Sequence, residues 1–222
     1  MRILLAGATG LVGGLLLDRL LDRAQRDDLH VLALGRRAVH VDHPRLRQSG
    51  LDGLGHAEWN PMPEGRPDVF LCCLGTTLRR AGSRAAFAAV DHDLVMALAG
   101  SARTAGVRQA IVVSSVGASA RSTSFYLRVK GDTERDLAAL GFARLDLIQP
   151  GLLLGPRDER RTGESLAQRV APLTDLLMPG PLRRYRSIPA ATVAAAMDAL
   201  VGAAEPGRFV HRHDALRALA DR

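Results

Sequence analysis

The stretch "RILLA" at residues 2–6 runs directly into "GATGLVGG", and this junction constrains the fold more than any other part of the chain. An apolar strand followed at once by Gly7, Gly10 and Gly13 describes a backbone that turns sharply and then enters a helix. Glycine permits that turn and lets the backbone approach a pyrophosphate, whose charge then rests on free amides and the positive end of the helix. Lying between a strand and a helix at the start of a βαβ unit, the triplet is a specific signal for dinucleotide binding.

Apolar runs recur after it: "LHVLALG" (29–35), "DVFLCCLG" (68–75), "QAIVVSS" (109–115) and "ARLDLIQPG" (143–151). Continuous hydrophobicity suits strands buried on both faces of a parallel sheet. Helical patterns read at 11–24, 84–105, 125–140 and 193–203, and a weaker third strand falls somewhere in 45–52. The expectation is an α/β Rossmann-type doubly wound parallel sheet with helices on both faces and a small carboxyl-terminal extension. We read residues 1–222 as a single NAD(P)-binding domain, with a cofactor-binding core at 1–155 and a substrate-side extension at 156–222. Residues 156–190, rich in proline and arginine, read as an irregular excursion.

Cys72 and Cys73 are adjacent in a strand and should point to opposite faces, which argues against a disulfide framework or a metal knuckle. No apolar run approaches the ~18 residues of a membrane span, and the opening lacks a leader pattern, so the expected location is the cytoplasm. The net charge of +7 raises nucleic acid as a partner. Its arginines are spread along the chain, aromatics are scarce at 4% and no nucleic-acid-binding motif occurs, so none is expected.

The second strand ends in Gly35-Arg36-Arg37, with no acidic residue from 33 to 41. An acidic residue there would hold the ribose of NAD, whereas two guanidiniums suit a 2′-phosphate, so NADP(H) is favoured over NAD(H). Lys130 is the only lysine among thirty basic residues, and it follows Tyr126 by four positions in "FYLRVKGD". On a helix the two share a face, and a compact ammonium can stabilise a phenolate in a way the broader guanidinium does not. Ser114 and Ser115 end the strand before this helix, at the edge where open α/β sheets bind ligands.

Together "GATGLVGG", "GRR", "LCCLGTT", "VVSSVGA", "FYLRVKGD" and "QPGLLLG" resemble the short-chain dehydrogenase/reductase superfamily. The similarity is to an atypical NAD(P)H-binding group related to the oxidoreductase known as the Tat-interacting protein. It runs through about residues 1–155 and more weakly beyond. The resemblance implies that Tyr126 is the general acid, that Lys130 tunes it and holds the nicotinamide ribose, and that a serine binds the substrate oxygen. Spacing favours Ser115 over Ser114 for that role, with Ser114 then near the cofactor. It also implies backbone contacts to the pyrophosphate at Thr9, Gly10, Leu11 and Val12, adenosine contacts at Leu74, Gly75 and Thr76, and a nicotinamide border at Pro150, Gly151 and Leu153. "CCLGTT" departs from the superfamily's commoner Asn/Ala-Gly region and puts any borrowed proton relay in doubt.

The remaining residues have plainer readings. The seven histidines lack metal-ligand spacing, His211-Arg212-His213 reads as exposed, Asp91 as a solvated or capping carboxylate, and Trp59 and Tyr185 as structural. Arg157, Arg160, Arg161, Arg169, Arg183, Arg184 and Arg186 read as a solvated surface, or alternatively as a site for an anionic substrate or a partner. The leading function is NADP(H)-dependent hydride transfer on a small carbonyl or hydroxyl compound. The alternative is an NADPH-binding sensor or assembly protein with little turnover, acting through a protein partner or as a homo-oligomer.

Overall fold

The computed structural model describes residues 1–50, 65–155 and 178–222; Trp59, Arg157, Arg160, Arg161 and Arg169 lie outside them. The chain forms β1 (Arg2–Ala6), α1 (Leu11–Ala24), β2 (His30–Gly35), β3 (Leu46–Gly50) and β4 (Val69–Cys72). A short α2 (Leu78–Ala81) precedes α3 (Arg84–Ala88), which passes through a π-helical turn (Ala89–Leu94) into α4 (Val95–Thr104). Then come β5 (Gln109–Val113), α5 (Phe125–Ala139), β6 (Arg144–Ile148), the two-residue β7 (Leu153–Leu154) and a 3₁₀ turn (Gly180–Tyr185). The two-residue β8 (Ile188–Pro189), α6 (Ala190–Leu200), β9 (Gly207–His211) and α7 (His213–Ala220) complete the fold.

Seven strands make one sheet in the order β3-β2-β1-β4-β5-β6-β9, every pairing parallel, while β7 and β8 pair separately. This is the doubly wound sheet that the sequence predicts. All carboxyl ends of the main strands therefore lie along one edge. The strand order reverses between β1 and β4, which opens the crevice where such sheets take ligands.

Alternation along the strands feeds two cores. Ile3 and Leu5 face the layer of α1, α6 and α7, with Leu16, Leu20, Val193, Met197 and Leu216, whereas Leu4 and Ala6 face the layer of α4 and α5, with Leu98, Ala102 and Leu137. Cys72 belongs to the second layer and Cys73 packs on the first, as their adjacency in a strand requires. Burial pushes the Cys72 thiol up to about 11 and the Cys73 thiol higher, so neither serves as a nucleophile near neutral pH. The helix Arg84–Thr104 is long and apolar enough to cross a membrane by length and composition. In the fold it lies on the sheet, with Phe87, Val95, Leu98 and Ala99 buried.

The sequence reading missed β9 and α7. The segment beyond residue 155, expected as a substrate-side extension, contributes the seventh strand of the main sheet. A buried polar network holds it there. Asp146 on β6 accepts from Arg144 Nε (2.7 Å), Arg144 Nη2 (2.8 Å) and Gln109 Nε2 (3.1 Å), and it pairs with His211 Nε2 of β9 (2.8 Å). Arg144 also stacks on Phe209, 4.2 Å from the ring centroid, and donates to the Glu205 carbonyl. The reading of His211-Arg212-His213 as exposed is thus corrected at its two histidines: His211 is committed to Asp146 and His213 is buried against Asp214, whereas Arg212 is exposed and donates to Gln149.

Burial opposes ionisation of Asp146, but hydrogen bonds from His211, Arg144 and Gln109 outweigh it and hold its pKa below the ordinary carboxylate value. Removing one member of a buried ion pair costs about 3–5 kcal/mol. Asp146→Asn is expected to lose that much in denaturant unfolding at neutral pH. Because the native pKa is lowered, the wild type's advantage is fully present above about pH 4 and disappears as pH falls through that lowered value. Paired urea melts across acid pH check both points.

Candidate active site

The glycine junction forms a cradle by exclusion. A Cβ on Gly7, whose φ is +86°, would lie 2.7 Å from the Cys73 carbonyl carbon, and one on Gly13 would lie 2.1 Å from the Gly7 carbonyl oxygen. The turns after β1 and β4 and the start of α1 therefore meet backbone to backbone. Gly10 caps α1 without a side-chain hydrogen bond, and the first turn carries no acidic residue. Its amides are thus left for an anion. Thr9 and Gly10 are exposed beside it, whereas the Val12 side chain is in the core and Leu11 meets Gly155, so those two can offer only backbone.

Next to the cradle is a cleft of about 280 Å³, bounded by Ala8, Thr9, Gly35, Arg36 and Arg37 and by the end of β3 at Gln48–Gly50. Both arginines are exposed. The Gln48 side chain accepts from the Val39 amide (2.8 Å) and donates to the Val39 carbonyl (3.0 Å), pinning the loop that carries them. Sequence reading missed Gln48, since its strand is short, polar and largely exposed. A turn of glycines, a helix start with unclaimed amides and a cleft ending in two cations fit the pyrophosphate and adenosine half of a dinucleotide.

Tyr126, Lys130 and Glu134 follow one another at four-residue spacing along one face of α5. Tyr126 packs its ring on Phe87, with centroids 5.6 Å apart. Lys130 is buried, and its Nζ lies 2.7 Å from Asp91 Oδ1. Burial works against its charge, but Asp91 and Tyr126 more than compensate and hold its pKa above the ordinary lysine value, so it is a stable cation. Asp91 is 0% exposed, and its Oδ2 accepts from the Thr76 amide at 2.8 Å. The expectation of a solvated or capping Asp91 is corrected on this point. The sequence offers one retrospective signal, a carboxylate within an otherwise apolar helical stretch.

The π turn makes this geometry. Such turns are rare and cluster at functional sites. Here it directs Asp91 inward to Lys130 and His92 to Asp136 of α5 (2.9 Å), while the Asp91 carbonyl accepts from Thr133 (2.9 Å). Gly75 sits against the ion pair, a Cβ there lying 3.8 Å from Lys130 Nζ. Gly75 and Thr76 are thereby brought to the lysine rather than to the Arg36–Arg37 cleft, and Leu74 packs on the second core layer.

The two serines diverge. Ser114 is buried and its hydroxyl donates to Glu134 at 2.5 Å, with Glu134 also receiving two hydrogen bonds from Gln149. Ser115 is half-buried, and its hydroxyl makes only a long contact to the Val116 carbonyl at 3.3 Å. The Pro150 carbonyl accepts from the Val116 amide, joining the ends of β5 and β6. Gly151 is pressed against the backbone of Tyr185 and Arg186, and Leu153 lies in β7 against the first core layer. Among the arginines of the surface group that are described, Arg183 pairs with Asp214, Arg184 stacks on Tyr185 and Arg186 donates to the Met178 carbonyl. Among the described residues no group of three or more His, Cys, Asp or Glu could hold a metal ion.

A profile of the NAD dependent epimerase/dehydratase family matches residues 3–135, which span the cradle, the π turn and the Tyr126–Lys130 face. The chain belongs to this family. Protein HTATIP2 of Rattus norvegicus is 36% identical over 170 residues, 75% of this chain and 69% of that protein. Protein FMP52, mitochondrial, of Eremothecium gossypii is also 36% identical, over 73% of this chain and 71% of its own length. The resemblance to the group of the Tat-interacting protein therefore holds. The expectation of a cytoplasmic location does not stand, because FMP52 relatives from several fungi are named mitochondrial.

Solved structures share the family fold. The human epimerase family protein SDR39U1 with NADPH matches at TM-score 0.61 and 16% identity, covering 96% of this chain and 74% of that one. The UDP-glucose 4-epimerase of Thermus thermophilus in complex with NAD matches at TM-score 0.68 and 19% identity, covering 100% and 83%.

The His92 link between the π turn and α5 makes stability pH-dependent. Burial lowers the His92 pKa, but hydrogen bonds to Asp136 and Asp93 raise it more, and Asp136 is held down at about 2, chiefly by Arg135 and then by His92. A raised histidine contributes stability fully below about pH 6.5 and loses it as pH rises through the native value. His92→Asn is expected to be less stable than wild type at pH 6 and to converge on it in mildly alkaline buffer, as read by thermal unfolding across pH.

Proposed function

We propose that this chain is an NADP(H)-dependent oxidoreductase that moves a hydride between the nicotinamide and a small carbonyl or hydroxyl compound, with residues 1–222 acting as one domain. The observation that carries the reading is the pairing of Tyr126 with a buried, charged Lys130 on one face of α5, beside the crevice where the strand order reverses. A nicotinamide held at this crevice would supply or accept the hydride at the substrate carbon. Tyr126 gives its phenolic proton to the carbonyl oxygen as reduction proceeds, and takes it back in the oxidative direction. Lys130 stabilises the phenolate left behind and holds the nicotinamide ribose. Ser115, whose hydroxyl has only a weak internal partner, orients the substrate oxygen. Ser114 instead braces the strand end through Glu134.

Arg36 and Arg37 give the preference for the 2′-phosphate. Charge-assisted hydrogen bonds contribute about 1.5–3 kcal/mol each, so Arg36→Ser with Arg37→Ser is expected to weaken NADPH binding by about a hundredfold or more and to leave NADH nearly unchanged. Fluorescence titration with both nucleotides checks this. Tyr126→Phe is expected to lower kcat by about 10²–10⁴-fold on any accepted carbonyl while NADPH still binds. The test is NADPH oxidation by the purified chain across a broad carbonyl panel, with the variant alongside. Tight NADPH binding with no turnover on any member would replace this reading with the sensor.

A further inference from the structure

Asp91 is an acid completely removed from solvent, and its Oδ1 has no hydrogen-bond partner beyond the Lys130 ammonium 2.7 Å away. Its other oxygen holds the Thr76 amide, and its own carbonyl is tied to Thr133. The carboxylate is therefore held by α5 through Lys130 and by the turn after β4 through Thr76, and Thr133 of α5 fixes the backbone that carries it. We propose that Asp91 is the positioning residue of this site: it fixes the Lys130 ammonium under Tyr126 and cancels most of its charge, so that the phenol works above a neutral ion pair.

The charges around the pair support this assignment. The Cys72 thiol on β4 remains protonated at neutral pH. Glu134, one turn further along α5, is engaged by Ser114 and Gln149, with Arg208 at 3.9 Å. Phe87 of α3 meets Tyr126 with an apolar ring, and Arg84 and Arg128 stack on the neighbouring Phe125 ring. The Asp91–Lys130 pair is thus a pair of opposite charges whose lysine interacts with the phenol, and removing either partner changes the charge of the pair by one unit. Two charges a few ångströms apart interact strongly where water is excluded.

The inference rests on the reading of Tyr126 as the proton donor, but it is measured without turnover. The chain has two tyrosines, so Tyr185→Phe leaves Tyr126 as the sole tyrosinate signal in a spectrophotometric pH titration of the cofactor-free protein. In that background the pair carries a net charge of zero, Asp91→Asn makes it +1 only while Lys130 keeps its proton, Lys130→Met makes it −1, and the double variant restores zero. The expected order of titration midpoints is Asp91→Asn lowest, the parent and the double variant together, and Lys130→Met highest, with steps of about one pH unit or more. Local damage to packing would lower melting temperatures without producing this order.

Asp91→Asn leaves an unpaired buried ammonium and is the variant most exposed to misfolding. If it does not fold, the comparison of Lys130→Met with the double variant decides alone. Coincident midpoints for those two would overturn the proposal. The predicted order in a chain that reduces nothing would retain Asp91's role and remove the oxidoreductase; turnover without the order would do the reverse.

Discussion

The close approach of three backbones at Gly7 is the constraint on which the rest depends. With the Gly13 Cβ position only 2.1 Å from the Gly7 carbonyl and the Gly7 Cβ position 2.7 Å from Cys73, no side chain fits where β1, α1 and the turn after β4 converge. That convergence lies at the reversal of strand order, so the same contact that fastens the first helix to the sheet leaves its amino end facing the crevice. The cradle is thus a packing requirement of the fold before it is a binding site.

On the far side of the crevice, α5 acts as a pillar. Its Tyr126, Lys130 and Glu134 reach from the ring contact with Phe87 to the carboxyl end of β5, and the two charged members each have a buried partner. Gly131 lets the loop at Ser119 and Ala120 cross the helix, a Cβ there lying 2.1 Å from the Ser119 carbonyl carbon. Two carboxylates and one ammonium are accommodated in this interior because each is hydrogen-bonded or paired.

Much of this was legible in the residues. The strands announced themselves by continuous hydrophobicity, and the glycine triplet, the Arg36-Arg37 pair and the Tyr126–Lys130 spacing are local patterns that survive folding unchanged. What was not legible depends on distance in the chain. Asp91 becomes a partner of Lys130 only through a π turn, whose register cannot be read from a helical periodicity. Strand β9 is short and mostly exposed, and its clue was indirect: Arg144 and Asp146, two residues apart on a buried strand, required a polar partner that proved to be His211. The engagement of Ser114 likewise depends on Glu134, twenty residues beyond it.

The π turn has a consequence for how this chain tolerates length changes. A π turn is a regular helix carrying one extra residue, so deleting a single residue between Ala89 and Leu94 would restore ordinary α-helical winding. The turns on either side would keep their phase, because the bulge already absorbs the extra residue. Phe87 and the inward face of α4 could stay on the sheet, but Asp91 and His92 could not both keep hold of α5. The length of this helix is therefore set by its grip on α5 and not by its packing on the sheet.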